Sequence, residues 1–144
     1  FVQESPENAA ALAAKGIIDL IQLHGNGPED YIRRLRSLTA APIIKAFSIA
    51  SPEDVRKAQE SSADFILLDS GSGGTGKAFD WELIREIKRP YFLAGGLTVH
   101  SAARAVKALS PYGVDVSSGI ETDGKKDRKK MAAFVRAVRE NERK

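Results

Sequence analysis

The stretch Phe65-Ile66-Leu67-Leu68-Asp69, followed by Ser70-Gly71-Ser72-Gly73-Gly74-Thr75-Gly76-Lys77, decides the fold. An apolar run with no polar alternation describes a strand covered on both faces, and such strands belong to parallel sheets packed against helices. Comparable runs occupy residues 17–23, 43–47, 91–94 and 114–117, and the starts of the set fall about 24 residues apart, a spacing that suits a repeating strand-and-helix unit. The segments between them carry helical periodicity. Tyr31, Leu35 and Leu38 share one face of a helix, and Ala102, Ala105, Val106 and Leu109 share another. Helix starts recur too: Ser5-Pro6-Glu7, Gly27-Pro28-Glu29-Asp30 and Ser51-Pro52-Glu53-Asp54 each combine a capping residue, a proline and acid in the first turn.

Five such units, with no glycine fingerprint after the first strand, predict part of a (β/α)8 TIM barrel rather than a dinucleotide-binding fold. Eight units need roughly 200 residues, so about three are expected to be missing, all upstream. Phe1-Val2 reads as the last residues of strand 3, and Met131, Phe134, Val135 and Val138 stripe helix 8. The expectation is a single domain, residues 1–144, forming the C-terminal portion of a TIM barrel with parallel strands.

A chain of 144 residues, 42% hydrophobic and 28% charged, has an ordinary globular composition. Its net charge of +3 comes from intermixed acids and bases, which argues against a nucleic-acid surface. It has no cysteine and only His24 and His100, well separated, so a disulfide framework or zinc site is not expected. No apolar run approaches a membrane span, and a cytoplasmic setting is expected.

Barrels of this kind gather their chemistry at the C-terminal ends of the strands. Asp69 closes a very apolar run, where a poorly solvated carboxyl holds its proton toward neutrality, as a general acid requires. A capping aspartate, or one paired with Lys45, fits the same position. Gly95-Gly96 and Ser117-Ser118-Gly119 follow the last two strands, where phosphate sites in barrels often lie; simple turn chemistry explains them too. His24 ends the first full strand and Asp115 lies two residues before Ser117, each either a pocket residue or a structural contact. The glycine-rich stretch resembles a nucleotide-binding P-loop until Ala78, which stands where serine or threonine would hold magnesium. It reads better as a lid at Gly73, Gly74, Thr75 and Gly76, with a phosphate- or nucleotide-binding module as the alternative. His100 is expected at the surface, Trp81 in helix packing, and residues 125–130 at a solvated helix start.

Taken together, Gln22-Leu23-His24-Gly25, Ile44-Lys45-Ala46-Phe47, Leu67-Leu68-Asp69-Ser70 with Gly73-Gly74-Thr75-Gly76-Lys77, Phe79-Asp80-Trp81, Leu93-Ala94-Gly95-Gly96-Leu97 and Gly113-Val114-Asp115-Val116-Ser117-Ser118-Gly119-Ile120-Glu121 resemble phosphoribosylanthranilate isomerases. The resemblance implies an Amadori rearrangement in tryptophan biosynthesis that turns N-(5'-phosphoribosyl)anthranilate into 1-(o-carboxyphenylamino)-1-deoxyribulose 5-phosphate. It implies no metal or organic cofactor. It places the general acid on Asp69, the phosphate grip on Gly95, Gly96, Ser117, Ser118 and Gly119, and the pocket wall on His24 and Asp115. It also implies a cysteine base and a carboxylate-binding arginine on the first two barrel strands, which this chain lacks. The expectation is negligible activity from this polypeptide alone, with open sheet edges that invite self-association or a complementing N-terminal fragment.

Overall fold

Ser5 ends an extended segment, and its hydroxyl accepts the Asn8 amide at 3.1 Å, opening helix α1 at Pro6–Ala14. In the computed structural model, which describes residues 1–25, 27–69 and 80–142, this begins a regular alternation. Strand β1 is Ile21–Leu23, α2 Glu29–Leu38, β2 Ile43–Ser48, α3 Pro52–Glu60 and β3 Phe65–Asp69. A 3-10 helix at Trp81–Ile84 precedes β4, Tyr91–Leu93, and then come α4, Val99–Leu109, and β5, Gly113–Val114. A second 3-10 turn, Ser118–Ile120, leads into a small hairpin of β6, Glu121–Thr122, and β7, Lys125–Lys126, before α5, Arg128–Arg139.

The five main strands form one sheet in the order β1-β2-β3-β4-β5, every pair parallel. A doubly wound sheet would reverse its strand order at a switch point; this one does not, which is the progression of a barrel wall. Val2 adds a parallel bridge to His24 on the far side of β1. The strand edge beyond β5 has no partner strand among the described residues.

Burial separates the two faces. Ile21, Leu23 and Ile43 pack with Ile32 and Leu35 of α2 and with Ala9 and Ala10 of α1. Ile66, Leu68, Tyr91 and Leu93 pack with Ala58 of α3, Ala102 and Ala105 of α4 and Phe134 of α5. The other face carries Ile44, Ala46, Leu67, Phe92 and Ala94, a separate cluster with no helix among its members. Lower on that face Phe65 stacks on Tyr112 at 5.8 Å, and Tyr112 meets the edge of Phe92 at 5.4 Å. A side chain on Gly113 would come within 2.7 Å of the Phe92 ring, which explains the glycine there.

Several expectations shift. The first run is a strand only at Ile21–Leu23, because Gly16 turns the chain at φ +65 and Ile17 is left 63% exposed. Pro28, rather than Gly27, is the cap of α2 and offers no side-chain hydrogen bond. On that helix Ile32 takes the buried place next to Leu35, Tyr31 is half-buried and Leu38 lies outside. Of the final stripe Phe134 is buried, while Met131 and Val135 face outward. Residues 125–130 are not simply a helix start: the first two form β7, and α5 begins after Asp127, whose carboxylate accepts the Lys129 and Lys130 amides.

Candidate active site

Side chains alternate along a strand, so the face holding Ala46, Leu67 and Ala94 also receives Ser48, Asp69 and Asp115 near the strand ends. The register supports this placement. Ser48 pairs with Asp69, the Ala94 amide donates to Leu68 O at 2.8 Å, and the Asp115 amide donates to Leu93 O at 2.8 Å. Asp69 and Asp115 therefore flank Ala94, two strand spacings or about 10 Å apart. His24 lies on the same face of β1 as Gln22, whose Nε2 is 2.8 Å from the imidazole Nε2.

His24, Ser48 and Asp69 line a cleft of about 350 Å³ together with Gly25, Gly27, Lys45, Asp54 and Lys57. Lys45 is the buried cation of this region. Its Nζ donates to Gly25 O and sits 5.9 Å from the centre of the Phe47 ring, so its hydrogen bond secures the loop after β1 rather than Asp69. Burial pushes its pKa below the ordinary lysine value, and the Glu29 carboxylate offsets part of that shift. Asp54 is held below the usual carboxylate range by the Ser51 hydroxyl first and by the Ala50 and Ser51 amides, while slight burial opposes them. It is committed to the capping box of α3.

The two loops suspected of holding phosphate meet physically. Gly95 and Gly96 have φ of 85 and 63, a left-handed path open to glycine. The chain then passes under Gly119, where a Cβ would fall 1.8 Å from Leu97 O. Only glycine permits that approach. Among the described residues no acceptor receives the amides of Gly95, Gly96, Ser118 or Gly119. Backbone amides in glycine-rich turns of this kind suit an anion.

His100 is exposed at the start of α4, as expected, and Trp81 packs against the helix-side core with Arg104 over its ring at 5.7 Å. The lid residues Gly73, Gly74, Thr75 and Gly76, and the P-loop-like reading of the same stretch, lie outside the described residues. Among the described residues no group of three or more histidine, aspartate or glutamate side chains could hold a metal ion. No described helix is long and apolar enough to cross a membrane.

Parallel strands in sequential order, helices along one face and polar side chains at the strand ends define a TIM-barrel-like α/β protein. A family model for N-(5'-phosphoribosyl)anthranilate (PRA) isomerase matches residues 1–137. The N-(5'-phosphoribosyl)anthranilate isomerase of Endomicrobium trichonymphae is 43% identical over 143 residues, spanning 96% of this chain and 70% of that protein. The crystal structure of phosphoribosyl anthranilate isomerase from Thermotoga maritima is similar with a TM-score of 0.83 at 34% identity, covering 97% of this chain and 71% of that one. A phosphoribosyl anthranilate isomerase in complex with reduced 1-(o-carboxyphenylamino)-1-deoxyribulose 5-phosphate is similar with a TM-score of 0.80 at 32% identity, covering 97% and 69%. The chain belongs to the N-(5'-phosphoribosyl)anthranilate isomerase family.

Proposed function

We propose that this chain supplies the acid and the phosphate grip of an N-(5'-phosphoribosyl)anthranilate isomerase. The observation that carries the reading is the position of Asp69, at a strand end on the helix-free face, in one cleft with His24 and one strand from the Gly95-Gly96 loop. The Asp69 carboxyl protonates the furanose ring oxygen, the C1'–O bond breaks and the anthranilate nitrogen's lone pair forms the Schiff base. A base then removes the C2' proton, and the resulting enolamine becomes the aminoketose when C1' takes up a proton and the C2' hydroxyl gives one up. These are proton transfers only and call on no metal or organic cofactor.

The remaining residues take supporting parts. Amides of Gly95, Gly96, Ser118 and Gly119, with the Ser117 hydroxyl, hold the 5'-phosphate; His24 and Asp115 wall the ribose. The relative's complex with the reduced aminoketose phosphate supports a ligand of this class. Residues 1–144 act as a single domain, the end of strand 3 through helix 8 of a barrel. The base that the family resemblance implies is a cysteine, and these 144 residues contain none. In this reading the base lies outside them, and the chain alone has negligible isomerase activity.

The test follows the fluorescence of phosphoribosylanthranilate with this chain alone and with a fragment carrying the first three barrel strands. Activity is expected only in the mixture, and Asp69→Asn is expected to lower it by roughly 10²–10⁴, the usual range for a general acid. A folded complex that stays inactive would point instead to a phosphate-binding module without isomerase chemistry.

A further inference from the structure

The hairpin after the second phosphate loop has no part in the reaction as described, yet it is tied to that loop. Asp123 and Gly124, at φ of 51 and 72, form the left-handed two-residue turn that sets a hairpin's register. That register places Lys126 opposite Glu121, and opposite charges across a strand pair attract. The Lys126 ammonium is 2.7 Å from Glu121 Oε1, 3.0 Å from Ser117 O and 3.4 Å from Ser117 Oγ. The hairpin itself is secured from behind: Lys130 Nζ donates to Glu121 O at 2.6 Å, and Thr122 donates to the Asp127 carboxylate at 2.8 Å.

We propose that Lys126 is a positioning residue of the phosphate grip: by holding the Ser117 carbonyl it fixes the direction in which the Ser118 amide meets the anion. The peptide between them is planar and trans, so its C=O and N–H point opposite ways. With the carbonyl drawn to Lys126, the Ser118 N–H faces away from the hairpin, toward the side that a phosphate would occupy. Without that hold the plane can rotate, since among the described residues the weak Ile120 amide contact at 3.4 Å is the other bond to Ser117 O. Glu121 keeps the ammonium in place and balances its charge, so the lysine acts through the peptide and not by touching the ligand.

This inference rests on the phosphate reading of the two loops, and the experiment separates them. The chain is titrated with inorganic phosphate while the amide NMR signals of Gly95, Gly96, Ser118 and Gly119 are followed. Saturable shifts at these amides are expected, with binding weakened roughly five- to tenfold in Lys126→Met, the effect of misdirecting one ordinary amide hydrogen bond of the grip. Lys126→Gln is expected to weaken it comparably, and Lys126→Arg to stay within about twofold, because a cationic donor is retained. The Ser118 amide should move most between wild type and Lys126→Met, while Tm changes little at this half-exposed site. Unchanged affinity in both Lys126→Met and Lys126→Gln overturns the role of Lys126 and leaves the phosphate site standing. Absence of shifts at the four amides in the wild type overturns the phosphate site and this inference with it.

Discussion

Lys45 shows what a single buried side chain sets at the residue scale. Its ammonium has lost most of its water and received Gly25 O in exchange, and the Glu29 carboxylate opposes the shift that burial causes. Below its depressed pKa the group is charged in both the folded and the unfolded chain, and its burial costs stability at a constant level. As pH climbs from that value toward 10.5 the folded chain releases the proton first, the unfolded chain binds more protons, and stability rises. Urea unfolding of wild type and Lys45→Met between neutral and alkaline pH should show this rise in the wild type and lose it in the variant; parallel curves would show that Lys45 does not titrate differently on folding. None of this was legible beforehand, since Lys45 stands in an apolar run where sequence suggested only a partner for Asp69. Asp69 was singled out because it closes an unbroken apolar strand, a position that a general acid and a capping or ion-paired aspartate fit equally well.

Contacts between elements make the next scale, and here the glycines divide into those a turn requires and one that a neighbour requires. Gly119 is the second kind. With a Cβ placed 1.8 Å from Leu97 O, Gly119→Ala must push the backbone of one loop off the other. Overpacking of this order costs about 1–3 kcal/mol, measurable by urea denaturation, and phosphate affinity should fall in parallel; an unperturbed variant would show that the two loops are not coupled. The sequence could not reveal this contact, because it joins residues of different loops. Helix starts were more readable: Ser5 and Ser51 cap α1 and α3 as their side chains suggest, and Ser51 forms a reciprocal capping box with Asp54. The hairpin was missed although Asp123-Gly124 announces it, because the run of lysines after it reads as helix surface. Trp81, expected in helix packing, opens only the 3-10 turn Trp81–Ile84.

For the whole molecule, the question is what lies against the helix-free face. Tyr112 on that side is 66% exposed and Phe65 and Phe92 are half-buried, and the edge beyond β5 has no partner strand among the described residues. Such an edge recruits strands from another chain. Light scattering on the purified chain should therefore show a mass that grows with concentration, and addition of the fragment bearing the first three strands should replace that species with a one-to-one complex. A strict monomer at every concentration would argue that the edge is protected. Parallel architecture and the helix-side core were legible from continuous apolar strands and amphipathic helices; strand lengths were not, because register with the neighbour decides where pairing stops, as at Val114 opposite Leu93.

Strand order has one more consequence. Each strand of the sheet is hydrogen-bonded to the one synthesised just before it, so none has to wait for a distant partner still inside the ribosome. Pairings of short sequence separation close quickly, and domains assemble from the N-terminus as translation proceeds. The wall can thus grow one βα unit at a time in step with its own synthesis.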